Sequence, residues 1–174
     1  MASDIFLLDT TVLSHAEKKK PHPALAQWLA AQSSLAIPFA AFVEVETGII
    51  ERQRSNPKRA AELRTWLDGL LETQFIFPAL TPEVAHVQAK MICCRQLTDL
   101  WYRDQCDTRK PGQDLSIAAV ASVYGFPIAS LDGDFERIGR YFPLPGVYNP
   151  AFDMWVVPRS DPREANLEHQ LVVA

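Results

Sequence analysis

The sequence predicts an α/β fold with a short, mainly parallel central sheet flanked by helices. Short apolar runs with no polar alternation recur at residues 5–8, 35–37, 75–77 and 127–131, the pattern of strands buried on both faces. Helical periodicity fills the segments between them, which is the signature of strands joined by helical crossovers. Each run also stops abruptly, at Asp9, Pro38, Pro78 and Asp132.

The elements follow in order. The run at 5–8 is the first strand, and Asp9 before Thr10-Thr11 has the chemistry of a helix N-cap. Residues 23–32 carry Leu25, Trp28 and Leu29 at helical spacing, and 35–37 is the second strand. Residues 39–53 read as a helix with Phe42, Val45, Ile49 and Ile50 on one side. Pro57 suits the first turn of the next helix, where Ala60, Leu63, Leu67 and Leu70 form an apolar stripe. The run at 75–77 is a third strand. Thr81 as cap and Pro82 at the first helical position open the longest expected helix, 81–105, with the stripe Val84, Val87, Met91, Cys94 and Trp101. A charged turn at 107–112 leads to a helix that Asp114 opens and Gly125 stops, with Ile117, Ala118, Ala121 and Tyr124 inside it. The fourth strand, 127–131, ends at Asp132-Gly133-Asp134. Beyond it, Pro143, Pro145, Pro150, Pro158 and Pro162 argue against regular structure. The expectation is therefore one domain over 1–152 and an extended tail over 153–174. The apolar residues Phe152, Trp155, Val156 and Val157 around this boundary are expected to dock on the same domain in preference to another chain.

Composition narrows the function. A chain of 174 residues with 48% hydrophobic and 22% charged side chains is a single globular domain and not a disordered segment. The net charge of −4 excludes a uniformly basic nucleic-acid coat but leaves room for a local basic groove. The 7 glycines are scattered singly, with no GxGxxG or GxxxxGK[ST], so dinucleotide and P-loop chemistry are excluded. Cys93, Cys94 and Cys106 have neither disulfide nor zinc spacing and read as reduced thiols. The N-terminus lacks a basic n-region, Asp9 interrupts its apolar stretch, and no apolar run is long enough to span a membrane, so a cytoplasmic protein is expected.

Ligands of open parallel sheets bind beyond the carboxyl ends of the strands. Asp9 and Asp132 stand at two such ends, Asp114 begins a helix, and Glu44 lies in a helix between Ala41 and Gly48. Four carboxylates on one rim would repel unless a cation sat among them, and an all-oxygen set suits Mg2+ or Mn2+. Each acid also has a plain structural reading: a cap for Asp9 and Asp114, a turn for Asp132-Gly133, a surface charge for Glu44.

The motifs Leu7-Leu8-Asp9-Thr10-Thr11-Val12-Leu13, Val43-Glu44-Val45-Glu46-Thr47-Gly48-Ile49, Asp114-Leu115-Ser116-Ile117-Ala118-Ala119-Val120-Ala121 and Ile128-Ala129-Ser130-Leu131-Asp132-Gly133-Asp134-Phe135 occur in this order. In order and spacing they resemble the PIN-domain ribonucleases, in particular the VapC/FitB-type toxins of toxin–antitoxin pairs. The resemblance implies a three-layer α/β/α PIN-like domain and an endoribonuclease dependent on Mg2+ or Mn2+. It also implies a homodimer held in check by a small DNA-binding antitoxin protein. It makes Asp9, Glu44, Asp114 and Asp132 the metal-binding and catalytic acids, with Thr11, Ser130 and Asp134 in support. Thr11 stands where the family usually has Asn or Ser, and Ser130 where it often has Thr. The family register favours Glu44, whereas the apolar side of its helix is centred on Glu46, the alternative ligand.

The implied reaction is in-line attack of metal-activated water on an RNA phosphodiester, leaving 5′-phosphate and 3′-hydroxyl ends. Lys18, Lys19 and Lys20, with Arg52, Arg54, Lys58 and Arg59, are the candidate RNA contacts, unless they are simply solvated surface. The four histidines have no ligand spacing. A PIN-fold module that binds RNA or protein without cutting is the alternative. Phosphotransfer folds fit poorly, because Thr10-Thr11 follows Asp9 where a dehalogenase-type site wants a second Asp. A receiver domain wants a Lys at the end of the last strand, which here reads Ser130-Leu131-Asp132.

Overall fold

The sheet grows outward from β1 (Phe6–Leu8), whose three side chains are all buried. The structure is a computed structural model and describes residues 5–18, 20–101 and 112–160. β1 pairs in parallel with β2 (Leu35–Ala36) on one side and β3 (Ile128–Ala129) on the other. β3 pairs in parallel with β4 (Val147–Asn149), and β4 pairs antiparallel with β5 (Met154–Val157). The order is thus β2-β1-β3-β4-β5. Because β1 connects forward to a neighbour on one edge and later chain returns on the other, the crevice past β1 and β3 is a topological switch point. Leu8 lies opposite Ala129, and the Asp9 amide donates to the Ala129 carbonyl at 3.0 Å. Asp9 and Ser130 therefore leave the sheet side by side.

The helices are α1 (Thr10–Ala16), α2 (Pro23–Ala31), α3 (Phe39–Ser55), α4 (Pro57–Leu71), α5 (Pro82–Ile92), α6 (Thr98–Trp101), α7 (Asp114–Tyr124) and α8 (Asp134–Gly139). α7 is apolar almost all round and buries Leu115, Ile117, Ala118, Ala119, Val120 and Ala121, as a helix packed on more than one side should. Gly125 ends it at φ 70°, the left-handed conformation that suits glycine. Asn56 closes α3 and caps α4, its side chain accepting from the Arg59 amide at 3.0 Å. No described helix is long and apolar enough to cross a membrane.

Three expectations are corrected. The run at 75–77 is not a strand but a single bridge, Ile76 beside Ala36. Pro78 follows without an N–H to extend the ladder, and Ile76 and Phe77 remain exposed on the sheet edge. The long helix expected over 81–105 stops at Cys93, and a 3₁₀ turn (Arg95–Leu97) precedes α6. Val84 and Met91 are buried on the α5 face. Leu97 and Leu100, also buried, fall off the continuation of that face, so the break re-aims them into the core. Residues 102–111, which contain Cys106 and most of the charged turn, lie outside the described residues.

The third correction concerns the C-terminal segment, where the sequence argued against regular structure. Pro145, Pro150 and Pro158 bound β4 and β5 instead of interrupting them. Between the strands, the Asn149 side chain accepts from the Ala151 amide at 3.0 Å, and Asp153 takes a positive φ of 53°. The Tyr148 hydroxyl donates to Asp153, and burial with this carboxylate pushes the phenol pKa up to about 12. Trp155 packs among Phe6 and Tyr148 with ring centroids 5.9 and 5.3 Å away. Gly146 has φ 138°, and a Cβ there would lie 2.8 Å from the Trp155 ring. The docking of 154–157 is therefore onto its own sheet, and the boundary drawn after 152 cuts a β-hairpin. Residues 161–174 lie outside the described residues.

Candidate active site

Asp9 is 2% exposed and sits where β1 ends and α1 begins. Its Oδ1 accepts from the Thr10 amide at 2.7 Å. Its Oδ2 accepts from the Thr11 amide at 3.3 Å, the Thr11 hydroxyl at 2.5 Å and the Ser130 hydroxyl at 2.7 Å. Burial raises the carboxyl pKa, and these hydrogen bonds pull it back. Among the described residues no cationic side chain adds to that balance, and the hydroxyl and amide dipoles around Asp9 are what favours its charged form.

The two hydroxyls tie Asp9 to the end of β3. Thr11 Oγ1 also accepts from the Leu131 amide at 3.0 Å, and Ser130 Oγ from the Asp132 amide at 2.9 Å. Asp132 Oδ1 accepts in turn from the Asp134 amide at 3.1 Å, an Asx-type turn. The structural readings of Asp9 as a cap and Asp132 as a turn are thus both realised, and they are what orients the two carboxylates. Asp134 acts here through its backbone, while its charge lies near Arg137.

Glu44 and Glu46 face different neighbours. Glu44, on α3, is exposed, and its Oε2 accepts from the Thr10 hydroxyl at 2.9 Å. Glu46 is forked by Arg64 of α4 at 2.5 and 2.6 Å, and the guanidinium holds its carboxyl below the usual range. The acid centred on the apolar side of α3 is therefore already neutralised, and the acid beside the Asp9 group is Glu44.

Asp114 is the first residue of α7, and Gln113 holds the N-cap position without a side-chain cap bond. The capping reading of Asp114 is corrected accordingly. Just before it, a Cβ on Gly112 would fall 1.8 Å from the Leu100 carbonyl oxygen. Gly112→Ala is expected to force the backbone ahead of Asp114 aside, at about 1–3 kcal/mol, read as a fall of several degrees in Tm. An unchanged melt would contradict this.

Asp9, Thr11, Ser130 and Asp132 form one hydrogen-bonded group, and Thr10 joins Glu44 to it. Among the described residues, no three His, Cys, Asp or Glu side chains converge closely enough to hold a metal ion as they stand. Their donor chemistry nevertheless fits a hard divalent cation: all are carboxylate or hydroxyl oxygens, and the buried Asp9 has no counter-charge among the described residues. Thr10, which the sequence did not single out, lies next to Asp9 in the chain, but its link to Glu44 spans 34 positions and has no local signal.

A cleft of about 490 Å³ opens beside this group, lined by Thr10, Glu44, Gly48, Arg52, Trp66 and Gln113 among others. Gln113 and Trp66 also went unnoticed in the sequence. Lys18 and Lys20 are exposed just past α1, and Lys19 lies outside the described residues. Arg54 lines a second depression with Ile50 and Arg64. Arg59 is committed to Glu17 and Glu62.

Residues 6–141 match the PIN domain family profile. The chain is 35% identical over 77 residues to the Mycobacterium tuberculosis (strain CDC 1551 / Oshkosh) protein named Ribonuclease VapC14, covering 41% of this chain and 72% of that one. Similar solved structures include FitAcB from Neisseria gonorrhoeae, at TM-score 0.55 and 17% identity over 84% of this chain and 98% of that chain. VapBC-1 from nontypeable Haemophilus influenzae gives TM-score 0.54 and 18% identity over 78% and 93%. VapBC2 from Rickettsia felis, solved on a promoter DNA fragment, gives TM-score 0.52 and 20% identity over 76% and 92%. These structures agree in fold with the parallel sheet whose switch point holds Asp9 and Ser130, and the profile match spans most of the chain: it belongs to the PIN domain family.

Proposed function

We propose that this protein is a metal-dependent endoribonuclease and the toxin of a toxin–antitoxin pair. The observation that carries the reading is Asp9: a buried carboxylate at the switch point, oriented by two hydroxyls and without a cationic partner among the described residues. The relative named as a ribonuclease and the VapBC neighbours support the same reading. Asp9, Glu44, Asp114 and Asp132 would hold Mg2+ or Mn2+. When bound, that ion would neutralise the acids and the substrate phosphate and activate water for in-line attack on the phosphodiester. Thr11 and Ser130 fix the Asp9 carboxylate, the Ser130–Asp132 turn sets the position of Asp132, and Thr10 orients Glu44. Lys18, Lys20, Arg52 and Arg54 attract the RNA backbone. The partner is a small antitoxin protein, and the family resemblance extends the proposal to a cytoplasmic homodimer.

End-group analysis tests the chemistry. RNA cut by the purified protein should carry 5′-phosphate and 3′-hydroxyl ends, and 2′,3′-cyclic phosphates would overturn the route through activated water. That no three acids converge among the described residues favours a PIN-fold module that binds without cutting.

A further inference from the structure

The cleft next to Glu44 has a composition that acid chemistry does not require. Its lining includes the charged side chains Glu17, Glu44 and Arg52. Glu17 is neutralised by Arg59 from α4. Arg52 makes no ion pair among the described residues, whereas Arg59, Arg64, Arg137 and Arg140 are each paired with an acid. Beyond the acid group, the uncompensated charge of the cleft is therefore positive. Glu44, Gly48 and Arg52 recur every four residues along α3, so they share a face over about 12 Å. Gly48 leaves this lane bare, since a Cβ there would meet nothing within 4 Å. The remaining wall mixes the polar Ser14, Thr47 and Gln113 with an apolar part made by Val45, Ile49, Leu63 and the half-buried Trp66. The Trp66 indole N–H takes no hydrogen bond among the described residues, which leaves a donor for a base edge.

We propose that this cleft is a nucleotide subsite. Trp66 and its apolar neighbours receive one unstacked base of a single-stranded RNA, and Arg52 holds a backbone phosphate beyond it. The proposal rests on the ribonuclease reading, which supplies the substrate and fixes the scissile phosphate at the acid end. An aromatic side chain with an unused donor on the α4 wall and an unpaired guanidinium on the α3 wall of one cleft match the alternation of base and phosphate in a single strand. A duplex has no base to offer such a face. Substrate choice would follow, with a base preference at the position that reaches Trp66.

The test measures binding to short single-stranded oligoribonucleotides by full-length protein carrying Asp9→Asn to suppress cutting. One oligonucleotide is complete, and the others each contain a single abasic position. Trp66→Ala should weaken binding of the complete oligonucleotide about 10- to 100-fold. It should have little effect on the one whose abasic position faces the cleft, and Trp66→Phe should keep most of the stacking affinity while losing the base preference that the indole N–H supplies. Arg52→Gln should weaken all of them and lower the salt slope by about one. Equal affinities in parent, Trp66→Ala and Arg52→Gln would overturn the proposal and leave the cleft to a peptide. The ribonuclease reading fails by a different result, folded parent protein that never cuts RNA in Mg2+ or Mn2+, so the two failures are distinguishable.

Discussion

Asp9→Asn is expected to lower RNA cutting by more than about 100-fold, above the 10- to 100-fold typical of losing a residue that merely supports a metal ligand. The protein should remain folded. Asn caps helices about as well as Asp, and its carbonyl oxygen can keep the Oδ2 position that accepts from Thr11 and Ser130. Its amide then faces the Thr10 N–H that Oδ1 accepts from at 2.7 Å, which costs one hydrogen bond. Removing a charge that burial disfavours offsets that loss. Lost activity thus reports lost charge, and the pair of readings that checks it is cleavage rate beside thermal melting. Full activity in a folded Asp9→Asn protein would remove Asp9 from the chemistry.

Glu44→Gln and Glu46→Gln should part company just as sharply. Glu44 stands beside the Asp9 group through Thr10, so its neutral isostere is expected to cut activity by more than about 100-fold and leave the melt unchanged. Glu46 is bonded to Arg64 across two helices, with both side chains partly in solvent. Such a pair stabilises by under about 1 kcal/mol, so Glu46→Gln should lower Tm by a few degrees at most and preserve cutting. The reverse pattern would make Glu46 the ligand and return the apolar side of α3 to the site.

This pair also shows where the sequence stops being legible. Helical periodicity places Glu44 and Glu46 about 200° apart, but it does not say which face meets the sheet end. Arg64 decides it, and Arg64 lies on another helix. Local signals worked where local forces dominate: the run Phe6-Leu7-Leu8 is a fully buried strand, Thr81 caps α5, and Gly125 stops α7. Asp9 and Asp132 were recognisable because a cap and a turn are local chemistry that also aims the carboxylates. The C-terminal hairpin was missed because prolines were read as breaking strands when here they bound them. The break at Cys93-Cys94 was missed because tertiary burial of Leu97 and Leu100 outweighs the continuity of the Val84–Met91 stripe. The cleft is a meeting of α1, α3 and α4 side chains, and nothing in any one segment announces it.

The most direct measurement is cleavage of a broad RNA pool by the purified, antitoxin-free protein. The same sample is followed in Mg2+, after EDTA, and after Mg2+ is restored in excess. The account predicts cutting that stops with EDTA and resumes with the metal. Cutting that continues unchanged in EDTA, or folded protein that binds RNA and never cuts it, would contradict it.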